Sequence, residues 1–263
     1  MKLPGLWYQL SIQRRVIRAL MIREVIAVYG RNGLGAGWVI GEPLTFALPV
    51  LLLWSIVRSP FEHGIPMVAF LWTGYLPILL FRHVGGRMLW FIRHNSGLMY
   101  HRNVTILDIF IARCAIEVAA NLGSAAVVFV MFYMLGEIDV PRDLPTLIIG
   151  YLYMIWWCAT VGLIIGAMCE RSEWVEKIWS PYSYTYLFYS GFFFMAAWLP
   201  PALRNIALYQ PSLQAYEMIR AGMFGNQVHT YYDFGYTSFV LSCLTVFGLL
   251  LMRAGRLYVT VDS

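Results

Sequence analysis

Arginines, carboxylates, histidines and tyrosines set among apolar runs are the side chains of this sequence able to do chemistry. On a helix, Tyr182, Tyr186, Tyr189 and Phe193 follow i, i+4, i+7, i+11 and make one aromatic stripe. Tyrosine hydroxyls facing hydrocarbon would lack partners, so a stripe this polar suits a bundle interior or a wet passage. Flat aromatic faces can slide along the CH-rich faces of sugar rings while the hydroxyls exchange hydrogen bonds with them. Plain helix packing plus an interfacial belt accounts for the same residues. Glu42, beside Pro43 in an apolar run, is either a path-lining group or a helix carboxylate near the interface. Arg113 and Glu117 lie i,i+4 and can pair with each other. His94 and His101 can share a helical face, but with no third ligand they read as solvated loop residues, not as a zinc site.

Other chemistries have no carrier. Only two lysines exist, Lys2 and Lys177, and neither follows the glycines of a GxxxxGK[ST] loop, so the chain has no P-loop with which to hydrolyse ATP. There is no HExxH, no GxSxG and no pair of adjacent carboxylates in an apolar run. An integral-membrane enzyme acting on a lipid or sugar therefore stays an alternative with little support. Cys114, Cys158, Cys169 and Cys243 show no CxxC or other ligand spacing and read as small core residues.

The elements that must position these residues are membrane spans. Apolar residues make up 60% of the chain and charged ones 13%, with a mean hydropathy of +0.64. Soluble domains run near 45–50% and about 25%. With spans of about 20 residues, the 263 residues accommodate five to seven crossings and no large soluble domain. The net charge of +5 sits in short loops beside apolar runs, where it sets topology, and no nucleic-acid partner is expected. The aromatic content exceeds what two interfacial belts require, so part of it is available to line an internal surface.

The stretch from residue 20 to 54 passes from a basic amphipathic segment, through a glycine-rich elbow, into an apolar run starting at Trp38. Over 6–31 an interface helix is expected, with Val16, Ile17, Leu20 and Met21 on one face and Ser11, Arg14, Arg15 and Arg18 on another. Gly30, Gly33, Gly35 and Gly37 let the backbone turn where a helix on the membrane becomes one crossing it. Spans are expected at about 38–57, 65–86, 105–135, 146–168, 179–198 and 236–252. The proline pair at Pro200 and the Gln210-Pro211 break make 200–222 two short helices at or just inside one interface. The expected fold is one all-α integral membrane domain over 1–263, with six transmembrane helices. Six crossings put both termini on one side. Most basic residues lie there, while the other side has Arg58, Arg142, Arg204 and Arg220, so both ends are expected in the cytoplasm. Lys2 and the arginines crowding the first 31 residues leave no cleaved signal peptide evident.

Three stretches, LMIREVIAVYGRNGLGAGWVIGEPL, LMYHRNVTILDIFIAR and SGFFFMAAWLPPALRNIALYQPSLQAYEMIRAG, resemble in order and spacing the membrane subunits of type 2 ABC exporters, and within them the Kps-type permeases of capsular polysaccharide export. The segment YQPSLQAYEMIR departs from the Asn-Pro-Leu start usual there. The resemblance implies a homodimer in the bacterial inner membrane with two separate ATPase subunits on the cytoplasmic side. Those subunits would bind ATP and magnesium, and this chain would hold no cofactor. It implies a coupling helix near Arg93 to Asn103, with Arg93, His94, Asn95, Tyr100, His101 and Arg102 meeting the ATPase. Further contacts would come from the interface helix and the loop Glu170 to Lys177. The short helices of 200–222 resemble a re-entrant pair on the periplasmic side. The implied cargo is a lipid-linked acidic polysaccharide, handed to a periplasmic adaptor and an outer-membrane exporter. An acidic polymer needs cations at the cytoplasmic mouth that attract without tight fixed sites. Arg23, Arg31, Arg82 and Arg87 can supply them, with Trp38, Glu42 and the aromatic stripe along the path, or they can serve as topology signals facing lipid headgroups. A permease for another glycan or a small drug remains the nearest rival reading.

Overall fold

A chain in hydrocarbon must satisfy its backbone polar groups internally, and long apolar runs do so as helices. The computed structural model describes residues 6–29, 34–57, 61–62, 64–95, 97 and 104–259. Its helices are α1 (Leu6–Tyr29), α2 (Leu34–Val57), α3 (Met67–Arg87), α4 (Phe91–His94), α5 (Ile106–Met134), α6 (Leu144–Cys169), α7 (Trp174–Thr185), α8 (Pro201–Ala207), α9 (Pro211–Phe224) and α10 (Phe234–Val259). Among the described residues the strands are a short antiparallel pairing, β1 (Phe61–Glu62) with β2 (Ile65–Pro66), in register Phe61 to Pro66 and Glu62 to Ile65. Four helices among the described residues, α3, α5, α6 and α10, are long and apolar enough to cross a membrane, and α2 carries the shorter apolar stretch Ile40–Leu53.

Local chemistry sets several helix ends. Thr105 and Asp108 close a reciprocal capping box at the start of α5. The Asp143 carboxylate accepts from the Thr146 amide at the start of α6, and Pro211 opens α9 at a position that needs no amide. Packing then depends on small residues. A Cβ built on Gly222 of α9 would lie 2.3 Å from the Leu147 amide nitrogen of α6, and one on Gly150 would lie 2.6 Å from that of Ile219, so the two backbones touch. Every residue of α9 except Ala221 is buried. On its other side α6 meets α10 through polar pairs, among them Trp156 Nε1 donating to Thr245 Oγ1 at 2.9 Å. The larger core gathers Trp72, Leu76, Phe81, Phe132, Met154 and Ile219 from α3, α5, α6 and α9. A second, at the other end of the bundle, joins Leu20 of α1 to Phe91, Phe110 and Met252. Leu20 and its neighbours on the apolar face of α1 thus pack on protein, while Arg14, Arg15 and Arg18 are exposed.

The region expected as a span over 179–198 is not one helix. α7 stops at Thr185, a tight turn covers Tyr186–Phe188, irregular backbone follows, and a second tight turn covers Ala196–Trp198. Gly191 takes φ +100°, a left-handed conformation that interrupts any helix. The non-helical backbone is tolerated because α9 supplies its partners. Arg220 donates to the carbonyls of Phe192 (2.8 Å) and Phe194 (2.6 Å). Glu217 accepts from the amides of Ala196 (3.0 Å) and Tyr231 (2.9 Å), and Ser212 Oγ donates to the carbonyl of Ser190 (3.0 Å). Arg220, read above as an outer-loop topology charge, is in fact fully buried, with its guanidinium over the Phe70 ring at 4.1 Å. Burial pushes it down to about 10, which leaves it protonated at neutral pH, and pushes the Glu217 carboxyl up, opposed by those two amides.

Candidate functional site

Charged side chains at the α4 end of the bundle form a connected network. Arg87 of α3 sits between two carboxylates, Glu42 of α2 and Glu117 of α5, each at 3.2 Å. Glu117 also faces His83 at 3.8 Å. Arg113 of α5 pairs with Glu24 of α1 at 3.0 Å and donates to the Arg87 carbonyl at 2.9 Å. The pairing of Arg113 with Glu117 expected from their i,i+4 spacing gives way to these partners, because Arg113 is turned toward α1 and Glu117 toward α3. A charge withdrawn from water needs a partner that is fixed and close, and here facing helices offer one. Glu42 is accordingly an ion-pair member joining α2 to α3.

The connection from α3 to α5 is anchored in the same region. Trp90 takes a left-handed φ of 54°, which turns the chain sharply into α4. The Glu170 carboxylate, from the turn after α6, accepts from the amides of Ile92 (2.9 Å) and Arg93 (3.1 Å). Glu176 of α7 accepts from Trp90 Nε1 at 2.7 Å, and the Arg93 guanidinium lies over the Trp90 ring at 4.5 Å. Asn95 is buried, accepts from Arg23 Nη1 of α1 at 3.3 Å and donates to the Phe91 carbonyl at 2.9 Å. Arg93 and His94 are exposed. Tyr100, His101 and Arg102 lie outside the described residues, as does Arg31. Sequence reasoning took Glu170 and Glu176 only as members of a loop; their role as acceptors for α4 has no local signal.

The aromatic stripe divides. Tyr186 is fully buried and stacks on Phe81 with ring centroids 4.1 Å apart. Tyr182, Tyr189 and Phe193 remain exposed. The rings still meet in succession, Tyr182 with Tyr186 at 5.9 Å and Tyr186 with Tyr189 at 5.2 Å between centroids, although the tight turn after Thr185 breaks the 3.6-residue count. Tyr184 and Phe188, which that count leaves off the stripe, are 57% and 71% exposed. Trp38 and Phe46 present further exposed rings on α2. Between α2, α3 and α7 lies a cleft of about 230 Å³, where the Arg82 guanidinium covers the Tyr184 ring at 4.0 Å.

Residues 15–224 match the ABC-2 type transporter family. Similar proteins include the capsule polysaccharide export inner-membrane protein CtrC of Neisseria meningitidis serogroup B, 35% identical over 243 residues, which are 92% of each chain. BexB of Haemophilus influenzae, with the same description, is 34% identical over 93% of this chain and 92% of its own. The polysialic acid transport protein KpsM of Escherichia coli is more distant, at 22% identity over 92% of this chain and 94% of its own. The family match over most of the length and the identity to full-length relatives have one consequence: this chain belongs to the ABC-2 type transporter family.

Proposed function

We propose that this chain is the membrane subunit of an ATP-driven exporter that moves lipid-linked capsular polysaccharide across the inner membrane, working as a homodimer with two separate ATPase subunits. The observation that carries the reading is 34–35% identity, over 92–93% of the chain, to proteins described as capsule polysaccharide export inner-membrane proteins. The arrangement of the chain supports it. Exposed rings on α2 and α7 form a half-passage that a second copy would complete. The α4 segment, with exposed Arg93 and His94, is the part held ready for an ATPase, and Tyr100, His101 and Arg102 follow it in sequence. Arg23, Arg31, Arg82 and Arg87, with Trp38 and Glu42, stand on the path by which an acidic polymer enters. Two short helices, α8 and α9, close the far side as a re-entrant pair, and the polymer passes there to a periplasmic adaptor and an outer-membrane exporter. Both termini are cytoplasmic, and six crossings include α2 and the broken α7 region.

The test is complementation of a capsule-producing strain that lacks its own export permease but keeps its ATPase. Surface polymer should return, and the ATPase should co-purify with this chain from membranes. ATP hydrolysis by the isolated chain, or failure to retain the ATPase, sinks the reading.

A further inference from the structure

We infer that the cleft between α2, α3 and α7 is a binding subsite for a single acidic sugar unit, with Arg82 as its anion-binding group. The inference rests on the exporter reading for the source of that sugar. Arg87 lies between two carboxylates, Arg113 meets Glu24, and Arg220 is taken up by two carbonyls. Among the described residues of α3, α5 and α9, Arg82 is the arginine that meets neither carboxylate nor carbonyl; its partner is the face of Tyr184 at 4.0 Å. A guanidinium with no carboxylate beside it attracts an anion that enters the cleft.

The rest of the cleft matches a sugar. Phe46, Trp179 and Tyr184 give aromatic walls, and Ser180 and Ser183 bring hydroxyls. Ser183 Oγ donates to the Ser180 carbonyl at 2.9 Å, which leaves its lone pairs to accept from a ligand. His83 is held by Glu117 at 3.8 Å and sits edge-on to Phe46. The volume of about 230 Å³ is below the roughly 300–1,000 Å³ of sites for drug-sized ligands, so the cleft takes one unit and not an oligomer. One cation in an open cleft binds weakly enough to let a moving polymer go. A lipid phosphate offers the same anion, so the test must separate headgroup from cargo.

The full chain in phosphatidylcholine nanodiscs is titrated calorimetrically with trigalacturonate and with its carboxyl-reduced, neutral counterpart. Wild type should bind the acidic trimer at least tenfold more tightly than the neutral one. Arg82→Gln should abolish that preference, Arg82→Lys should keep most of it, and Tyr184→Ala should weaken binding of both trimers. Equal binding of the two trimers by wild type, or an unchanged preference in Arg82→Gln with the wild-type melting temperature, overturns the proposal. Retention of phosphatidylglycerol that depends on Arg82, with trigalacturonate binding that does not, makes this a headgroup site and overturns it equally. The complementation assay runs in parallel. If wild type fails to restore export, the exporter reading falls while the titration still tests the subsite. If Arg82→Gln at limiting expression exports like wild type, the subsite falls alone.

Discussion

Arg220 shows how one side chain can hold a fold break in place. Its two hydrogen bonds go to carbonyls of backbone that no helix satisfies, and Glu217, three residues earlier on α9, takes an amide from the same stretch. Arg220→Ala would leave those two carbonyls without their donors. Each buried acceptor left unsatisfied costs about 1–3 kcal/mol. We expect loss of monodisperse protein in fluorescence-detected size exclusion, with at most partial recovery in Arg220→Lys, whose single ammonium cannot span two carbonyls. The pair of Glu24 with Arg113 makes a separate prediction. Each single reversal, Glu24→Arg or Arg113→Glu, should lower the melting temperature, and the double reversal should recover part of the loss, with a coupling of about 0.5–3 kcal/mol. Additive losses would mean that the pair holds nothing together.

Among the elements, α4 and the contact between α6 and α9 depend most on distant residues. α4 is one turn long, too short to be stable by itself. One Glu170 oxygen, Oε1, accepts from two of its amides, and hydrogen bonds to a charged group contribute about 1.5–3 kcal/mol. Glu170→Ala should therefore speed amide exchange at Ile92 and Arg93 while α5 exchanges as before; unchanged exchange at both amides would show that Glu170 is incidental. The α6–α9 contact is one of backbones, and Gly222→Ala forces a methyl to 2.3 Å from the Leu147 nitrogen, beyond what a rotamer change can relieve. Overpacking of this kind costs typically 1–3 kcal/mol and sometimes more. Gly37→Ala, in α2 with nothing within 4 Å, is the matched control and should melt no lower than the wild type.

For the whole molecule, orientation follows from the basic residues, and cysteine labelling checks it. In a chain with Cys114, Cys158, Cys169 and Cys243 replaced by alanine, a membrane-impermeant maleimide should label Asp139→Cys, between α5 and α6, in intact cells. Glu173→Cys, at the other end of α6, should react only after the inner membrane is opened. Labelling of Glu173→Cys in intact cells would reverse the topology.

Apolar runs in the sequence were enough to locate α3, α5, α6 and α10, since a stretch in hydrocarbon has to close its own hydrogen bonds. The proline breaks marked α8 and α9. Partner choice was beyond reach. Whether Arg113 turns to Glu117 or to Glu24 depends on how α5 is rotated against α1 and α3, and an i,i+4 spacing carries no information about that rotation. The break in the helix after Thr185 was out of reach for a related reason: apolar character says that the backbone there needs internal partners, but not that Glu217, Ser212 and Arg220 of α9 would supply them in place of a helix. Only the packed structure decides that, because those bonds join residues more than twenty positions apart.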